Sequence, residues 1–258
     1  MTKATFLQWK DYRIYPLYEA VFIGLGVFLA IFITTYFIYY YSLNAQKGEI
    51  KEGLLRTAKI VAAFIDKNQH RKFVNPSQEK LLAYKLALKP LESTLAADDS
   101  IEYLYTAILK DNQVYFILDA TPAGDANHDG VEDKAHIMEK YPEASKEMLQ
   151  ALKTQKPVVN SEPYTDRWGS FISGYIPLIA SDGEMVGVLG IDIKAKNYFA
   201  RLEPINRATT RAMVLGFFIA FLVGSVVWFT RRFGLVINKK RKKLVEQYEQ
   251  LQMTQNNK

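Results

Sequence analysis

The sequence predicts a mixed α+β domain with an antiparallel sheet and a long N-terminal helix, held between two membrane-spanning helices. Three observations carry this. Residues 20–41 and 212–230 contain no charged side chain, and each run is long enough to cross about 30 Å of hydrocarbon at about 1.5 Å per helical residue. Between them, helically spaced apolar residues give way to short runs rich in aromatic and β-branched residues, separated by turn signals. One of these runs, MVGVLGIDI at 185–193, is apolar almost throughout until Asp192, the pattern of a strand covered on both faces.

The charge pattern orients the spans. Lys and Arg cluster just beyond the second span (Arg231, Arg232, Lys239, Lys240, Arg241, Lys242, Lys243) and recur in the short N-terminus (Lys3, Lys10, Arg13). The positive-inside rule places both ends in the cytoplasm. Residues 42–210 then face the periplasm or the outside, with 21 Lys and Arg against 23 Asp and Glu. The net charge of +6 belongs to the membrane-flanking ends, so it gives no reason to expect a nucleic-acid partner. The organisation expected is a cytoplasmic segment 1–19, a first span 20–41, an extracytoplasmic domain 42–210, a second span 211–230 and a basic cytoplasmic tail 231–258. The first apolar run is longer than a signal-peptide core and lacks a small-residue cleavage pattern, so it reads as a retained anchor. With no cysteine in 258 residues, disulfides play no part in holding the fold.

Taken in order, Pro16 suits a first helical turn. Ile50, Leu54, Ile60, Val61, Phe64 and Ile65 extend a helix outward from the first span, over 43–69. Asn75-Pro76-Ser77 breaks that pattern and caps a second helix over 77–97. Strands follow at 101–109 and 113–119 around Lys110-Asp111-Asn112, a hairpin turn. Residues 120–141 read as a long polar loop, 142–153 as a short helix, and 157–164 as extended chain. A hairpin closes the domain, with WGSFISGYIPLIA (168–180) and 185–193 joined by Ser181-Asp182-Gly183-Glu184. Helix resumes at 194–211 and enters the second span, with Pro204 a hinge candidate. In the tail, Ile237, Leu244 and Leu251 recur every seven residues, which fits either a short coiled coil of a homodimer or a basic helix on anionic membrane lipid.

The closing hairpin carries a resemblance. Its pattern Y-T-D-x-W-G-x-x-x-S-G-Y-x-P-L, followed by S-D-G-x-x-V-G-V-L-G-I-D-I, resembles the end of a Cache domain. These are PAS-like extracytoplasmic sensor modules of bacterial receptors such as histidine kinases, diguanylate cyclases and chemoreceptors. The resemblance implies a small-molecule ligand, with Tyr164 and Asp192 gripping its amino group. Trp168 and Tyr175 are candidates to wall the site or face a cation. The R-x-W-Y element that holds a carboxylate in amino-acid-binding members is absent from 134–159. A carboxylate at the end of so apolar a strand requires a partner, and Arg167 or a ligand ammonium are the two on offer.

A second constellation lies at Asp125-Ala126-Asn127-His128-Asp129-Gly130-Val131-Glu132-Asp133. It matches the first half of a calcium loop, with Asp125, Asn127, Asp129, the Val131 carbonyl and Asp133 as candidate Ca2+ ligands and glycine at the sharp turn. His136 stands where an EF-hand has its bidentate glutamate, so the loop is nearer to the shorter calcium loops of extracellular proteins. No catalytic motif is present: there is no H-E-x-x-H, G-x-S-x-G or phosphate-binding glycine loop. Two functions follow as expectations. One is a non-enzymatic membrane sensor acting through a membrane or cytoplasmic signalling partner or a homodimer. The other is an assembly subunit of a cell-envelope complex that uses the same fold for interaction.

Overall fold

The computed structural model describes residues 15–125, 130 and 132–256. The chain divides into two compact units, 42–204 and the helical ends 15–41 with 205–256. Helix α1 (Pro16–Phe64) opens at Pro16 and contributes residues to both units. It ends earlier than the sequence suggests. Ile65 and Asp66 leave the helix, and a separate turn, α2 (Lys67–His70), is started by the Asp66 side chain accepting from the Gln69 N–H at 3.0 Å.

The second helix is also shorter than expected. Asn75 does cap, with a reciprocal bond from its backbone to Gln78, but what it caps is a 3-10 turn (Pro76–Lys80). Leu81 is extended, and α3 (Leu82–Ala97) begins after it. The preceding proline and the side-chain competition of Asn75 and Ser77 favour a tight turn over α-helix here.

Among the described residues six strands form one antiparallel sheet: β1 (Tyr103–Lys110), β2 (Gln113–Asp119), β3 (Val158–Val159), β4 (Tyr164–Asp166), β5 (Gly169–Ile179) and β6 (Met185–Lys194). The order is β2-β1-β6-β5-β3, with β4 also pairing with β5. Asp111 and Asn112 have φ of 49° and 60°, the left-handed pair a two-residue hairpin turn requires. Strand alternation then sends side chains to two different cores. On one face Leu104, Ile172, Ile176, Leu189, Ile191 and Ile193 pack with the stripe Ile50, Leu54, Ala58 and Val61 of α1 and with Tyr84, Leu88 and Leu91 of α3. On the other face Tyr105, Phe116, Tyr175 and Val188 pack with Tyr141 and with Met148, Ala151 and Leu152. The last three lie on α4 (Lys146–Thr154). β6 is covered on both sides over eight consecutive residues, which is why it is apolar without alternation.

Helix α5 (Ala195–Asn256) follows β6 directly and continues through Pro204. In the unit of the helical ends, α1 and α5 meet on small residues. A Cβ on Gly24 would lie 3.2 Å from the Ala220 carbonyl oxygen, and one on Gly224 would lie 3.1 Å from that of Ala20. Phe28 and Phe217 meet edge to face at 6.3 Å, and Arg231 pairs with Glu19 at 2.9 Å. Both helices are long and apolar enough to cross a membrane.

Candidate functional site around Asp192

The site is built by register. On the α4 face of the sheet, Asp192 sits opposite Tyr103 of β1 and Ser173 of β5, and Gly190 sits opposite Tyr105 and Tyr175. Gly190 is needed there: a Cβ would come within 2.6 Å of the Tyr105 ring, so only a bare backbone lets that ring lie flat over β6. The end of β2 brings Asp119, and the loop after it brings Asp133, Ala135 and Tyr141. The turn between β4 and β5 brings Asp166 and Trp168.

These residues enclose a cavity of about 20 Å³, room for about one water molecule. Four aspartates line it, Asp119, Asp133, Asp166 and Asp192, and its other walls are mainly Tyr103, Tyr105, Phe116, Tyr141 and Trp168. The rings brace one another, with Phe116 4.8 Å from Tyr141, 5.2 Å from Tyr105 and 5.6 Å from Trp168 between centroids.

The carboxyls differ in how they are held. Asp119 accepts from the Thr121 N–H (2.9 Å), the Thr121 hydroxyl (2.6 Å) and the Ala135 N–H (2.6 Å). Asp166 accepts from the Tyr141 hydroxyl (2.5 Å) and the Trp168 N–H (2.9 Å). Asp192 is 3% exposed, and among the described residues its Oδ1 has no hydrogen-bond partner. Burial pushes its carboxyl up to about 8, and the nearby Asp166 and Asp119 charges add to this. The Ser173 and Tyr105 hydroxyls hold against the rise from close by, without completing a well-formed bond to that oxygen. Asp166 and Asp119 are also raised by burial, opposed by the bonds just named.

Of the residues expected to hold a ligand, Trp168 and Asp192 line the cavity. Tyr164 stands one layer back, its hydroxyl 3.1 Å from that of Tyr141. Tyr175 is fully buried beneath the site and accepts from the Ser145 hydroxyl at 2.9 Å. Arg167 lies outside. Its guanidinium stacks 4.5 Å over the Trp168 ring, donates to the Lys140 carbonyl at 2.9 Å, and pairs with Glu139 and Glu143 at 3.4 Å each. Arg167 therefore does not serve as the internal partner of Asp192. Of the calcium candidates, Asn127, Asp129 and Val131 lie outside the described residues. Asp125 accepts from the Gly130 N–H at 2.8 Å, while Asp133 is buried and lines the Asp192 cavity. Among the described residues no three acids or histidines gather closely enough for one metal ion.

Sequence reasoning missed Tyr103, Tyr105, Phe116, Tyr141, Asp119 and Asp166 as cavity residues. The only signal for the first two was their spacing of two on a strand, which matters once the β1–β6 register is known.

No family model matches the chain, and no curated protein matches it. Among solved structures it is similar to the ligand-binding domain of the Campylobacter jejuni chemoreceptor Tlp3 in complex with L-valine. The identity is 16%, over 69% of this chain and 66% of that one, with a TM-score of 0.39. It is also similar to the periplasmic sensory domain of the C. jejuni chemoreceptor Tlp1 (12% identity, 62% and 58% coverage, TM-score 0.39). A third is a methyl-accepting chemotaxis protein X (15%, 65% and 66%, TM-score 0.37). The chain thus spans just under two thirds of the length of the Tlp3 domain.

Proposed function

We propose that the protein is a membrane-anchored extracytoplasmic sensor whose unit 42–204 binds a small ligand at Asp192 and passes the signal to a partner through α1 and α5. The observation that carries this is the Asp192 carboxyl itself. It is buried, has an oxygen without a hydrogen-bond partner among the described residues, and faces a cavity walled by aromatic rings. A buried acceptor left unmade costs about 1–3 kcal/mol, so the arrangement favours a bound donor. α1 and α5 each supply core residues to the sensor unit (Leu54 and Val61; Tyr198 and Leu202) and also an uncharged run of membrane length. A change in the domain core is thereby carried on the same helices that cross the bilayer.

The test is a metabolite library screened by thermal shift on the full chain in detergent, against Asp192→Asn. Stabilisation of the wild type that the variant loses supports the sensor; a ligand whose effect survives in the variant places binding elsewhere. The tightness of the cavity favours a second reading, a Cache-like module kept for assembly of an envelope complex. Co-purification of a stoichiometric membrane partner, with no ligand response in the screen, would establish that reading instead. Loop 125–133 is proposed to take one calcium ion. Titration calorimetry on the full chain should show calcium heat that Asp125→Asn abolishes, and an absence of heat in the wild type would make the loop a polar turn only.

A further inference from the structure

We infer that α1 and α5 together bind one anionic phospholipid of the cytoplasmic leaflet, with an acyl chain in the furrow between them and its phosphate on Arg232. This rests on the membrane-anchored reading above and is independent of any ligand at Asp192.

The furrow comes first. It encloses about 710 Å³, and its lining includes Leu17, Gly24 and Phe28 of α1 and Phe217, Gly224 and Trp228 of α5. Its floor is backbone. A Cβ on Gly24 or Gly224 would lie 3.2 or 3.1 Å from a carbonyl oxygen of the opposite helix, so close approach leaves no side chain at either position. The walls are apolar, and the one hydroxyl among them, Ser225, is spent on the Phe221 carbonyl at 2.8 Å.

Length decides the occupant. Leu17 to Phe28 on α1, and Trp228 to Phe217 on α5, each span about 16 Å at about 1.5 Å per residue. That is about half of a hydrocarbon core of about 30 Å. The far end is closed. Phe28 and Phe217 meet edge to face at 6.3 Å, and Ile31 packs onto Gly216, where a Cβ would lie 2.6 Å from its Cγ2. The furrow thus opens beside Leu17 and Trp228 and stops near the bilayer midplane, the reach of one acyl chain of one leaflet. A third transmembrane helix must cross the whole bilayer, and Ile31 on Gly216 blocks its path halfway.

Charge decides the headgroup. At the open end Arg231 is neutralised by Glu19 at 2.9 Å. Arg232 is in no ion pair among the described residues, and its guanidinium lies 5.8 Å from the ring centroid of Trp228, a wall of the furrow. A guanidinium so placed presents the fork of N–H donors that matches phosphate oxygens. A zwitterionic headgroup brings its own cation, so the uncompensated charge favours an anionic lipid. The flanking Lys and Arg put this end in the cytoplasm. The site is separate from the basic cluster at 239–243, which begins about two turns further along α5.

The experiment is native mass spectrometry of the full chain in mild detergent. The probes are dioleoylphosphatidylglycerol and dioleoylphosphatidylcholine, which have the same acyl chains. The wild type should retain one phosphatidylglycerol per chain, preferred at least about fivefold over phosphatidylcholine. Arg232→Gln should reduce that preference to within about twofold, while Lys242→Gln in the basic cluster should leave it unchanged. Ser225→Phe and, from the opposite wall, Val21→Phe fill the furrow and should remove retention of both lipids. Equal retention of the two lipids by the wild type, or a preference that survives Arg232→Gln, overturns the inference. So does retention that survives both filling variants, or no retained lipid at all. A complex of two chains that the filling variants dissociate makes the furrow a helix interface and overturns it as well. Release of the chain from native membranes by alkaline carbonate would overturn the anchored reading itself, which none of the lipid outcomes does.

Discussion

At the scale of single residues, two buried titratable groups pull the stability of the domain in opposite directions with pH. Asp192 is raised to about 8 from an ordinary carboxyl value near about 4. Between those values the folded chain keeps a proton that the unfolded chain has released, so stability falls as pH rises through that window, and the full penalty is present above about 8. His70 is fully buried against the Thr106 hydroxyl at 2.7 Å, and burial lowers it to about 4. Below about 6.5 the unfolded chain takes up its imidazole proton first, so stability rises with pH between about 4 and 6.5. From about 6.5 to 8 Asp192 acts without His70. Asp192→Asn should therefore flatten the decline of melting temperature across that interval and raise it at pH 8; an unchanged slope would show that another group ionises there. Gly190→Ala is expected to destabilise by about 1–3 kcal/mol in urea unfolding, since its Cβ would meet the Tyr105 ring at 2.6 Å.

Among the elements, α4 supports the site from below. Ser145 caps it, accepting from the Met148 N–H at 3.1 Å, and the same hydroxyl donates to Tyr175 Oη at 2.9 Å. One small side chain thus satisfies a helix end and a fully buried phenol. Ser145→Ala should cost about 1–3 kcal/mol by chemical denaturation, more than loss of an exposed cap alone; a cost near zero would mean that water replaces both bonds. Element existence was largely legible in the sequence. Lys110-Asp111-Asn112 announced a hairpin, and the apolar run before Asp192 announced a strand covered on both sides, because turn conformation and double burial each restrict residue type locally. The helix over 77–97 was not legible as it stands. The choice between α-helix and a 3-10 turn at Pro76–Lys80 is settled by the Gln78 side chain folding back to the Val74 and Asn75 amides at 2.7 and 2.8 Å.

For the molecule as a whole, the expected topology has both termini in the cytoplasm and 42–210 outside. The absence of native cysteine allows a direct test with single reporters. In intact cells Asn112→Cys should react with a membrane-impermeant maleimide and Gln252→Cys should react only after lysis. Labelling of both from the same side would end the two-span arrangement. Within the unit of the helical ends, Gly24 and Gly224 let α1 and α5 approach at backbone distance. Gly224→Leu should force them apart, and disulfide trapping between cysteines introduced at Phe28 and Phe217, whose rings meet at 6.3 Å, should fall accordingly.

By itself the sequence determined the two membrane-length runs, the α+β character of what lies between them, and Asp192 as a charge out of place. Each of these is a property of residue type along the chain: charge depletion, periodicity, and a carboxylate among aliphatic neighbours. Only the tertiary structure decided what surrounds that charge. Tyr103 and Tyr105 reach it through β1–β6 register, Asp119 through the end of β2, and Tyr141, Asp133 and Trp168 through chain folded back over the sheet. It also showed Arg167 drawn away by Glu139 and Glu143, each more than twenty residues upstream. Local pattern records which face a strand residue takes; which partners meet it there depends on pairing between segments distant in the chain, and that is settled only when the sheet closes.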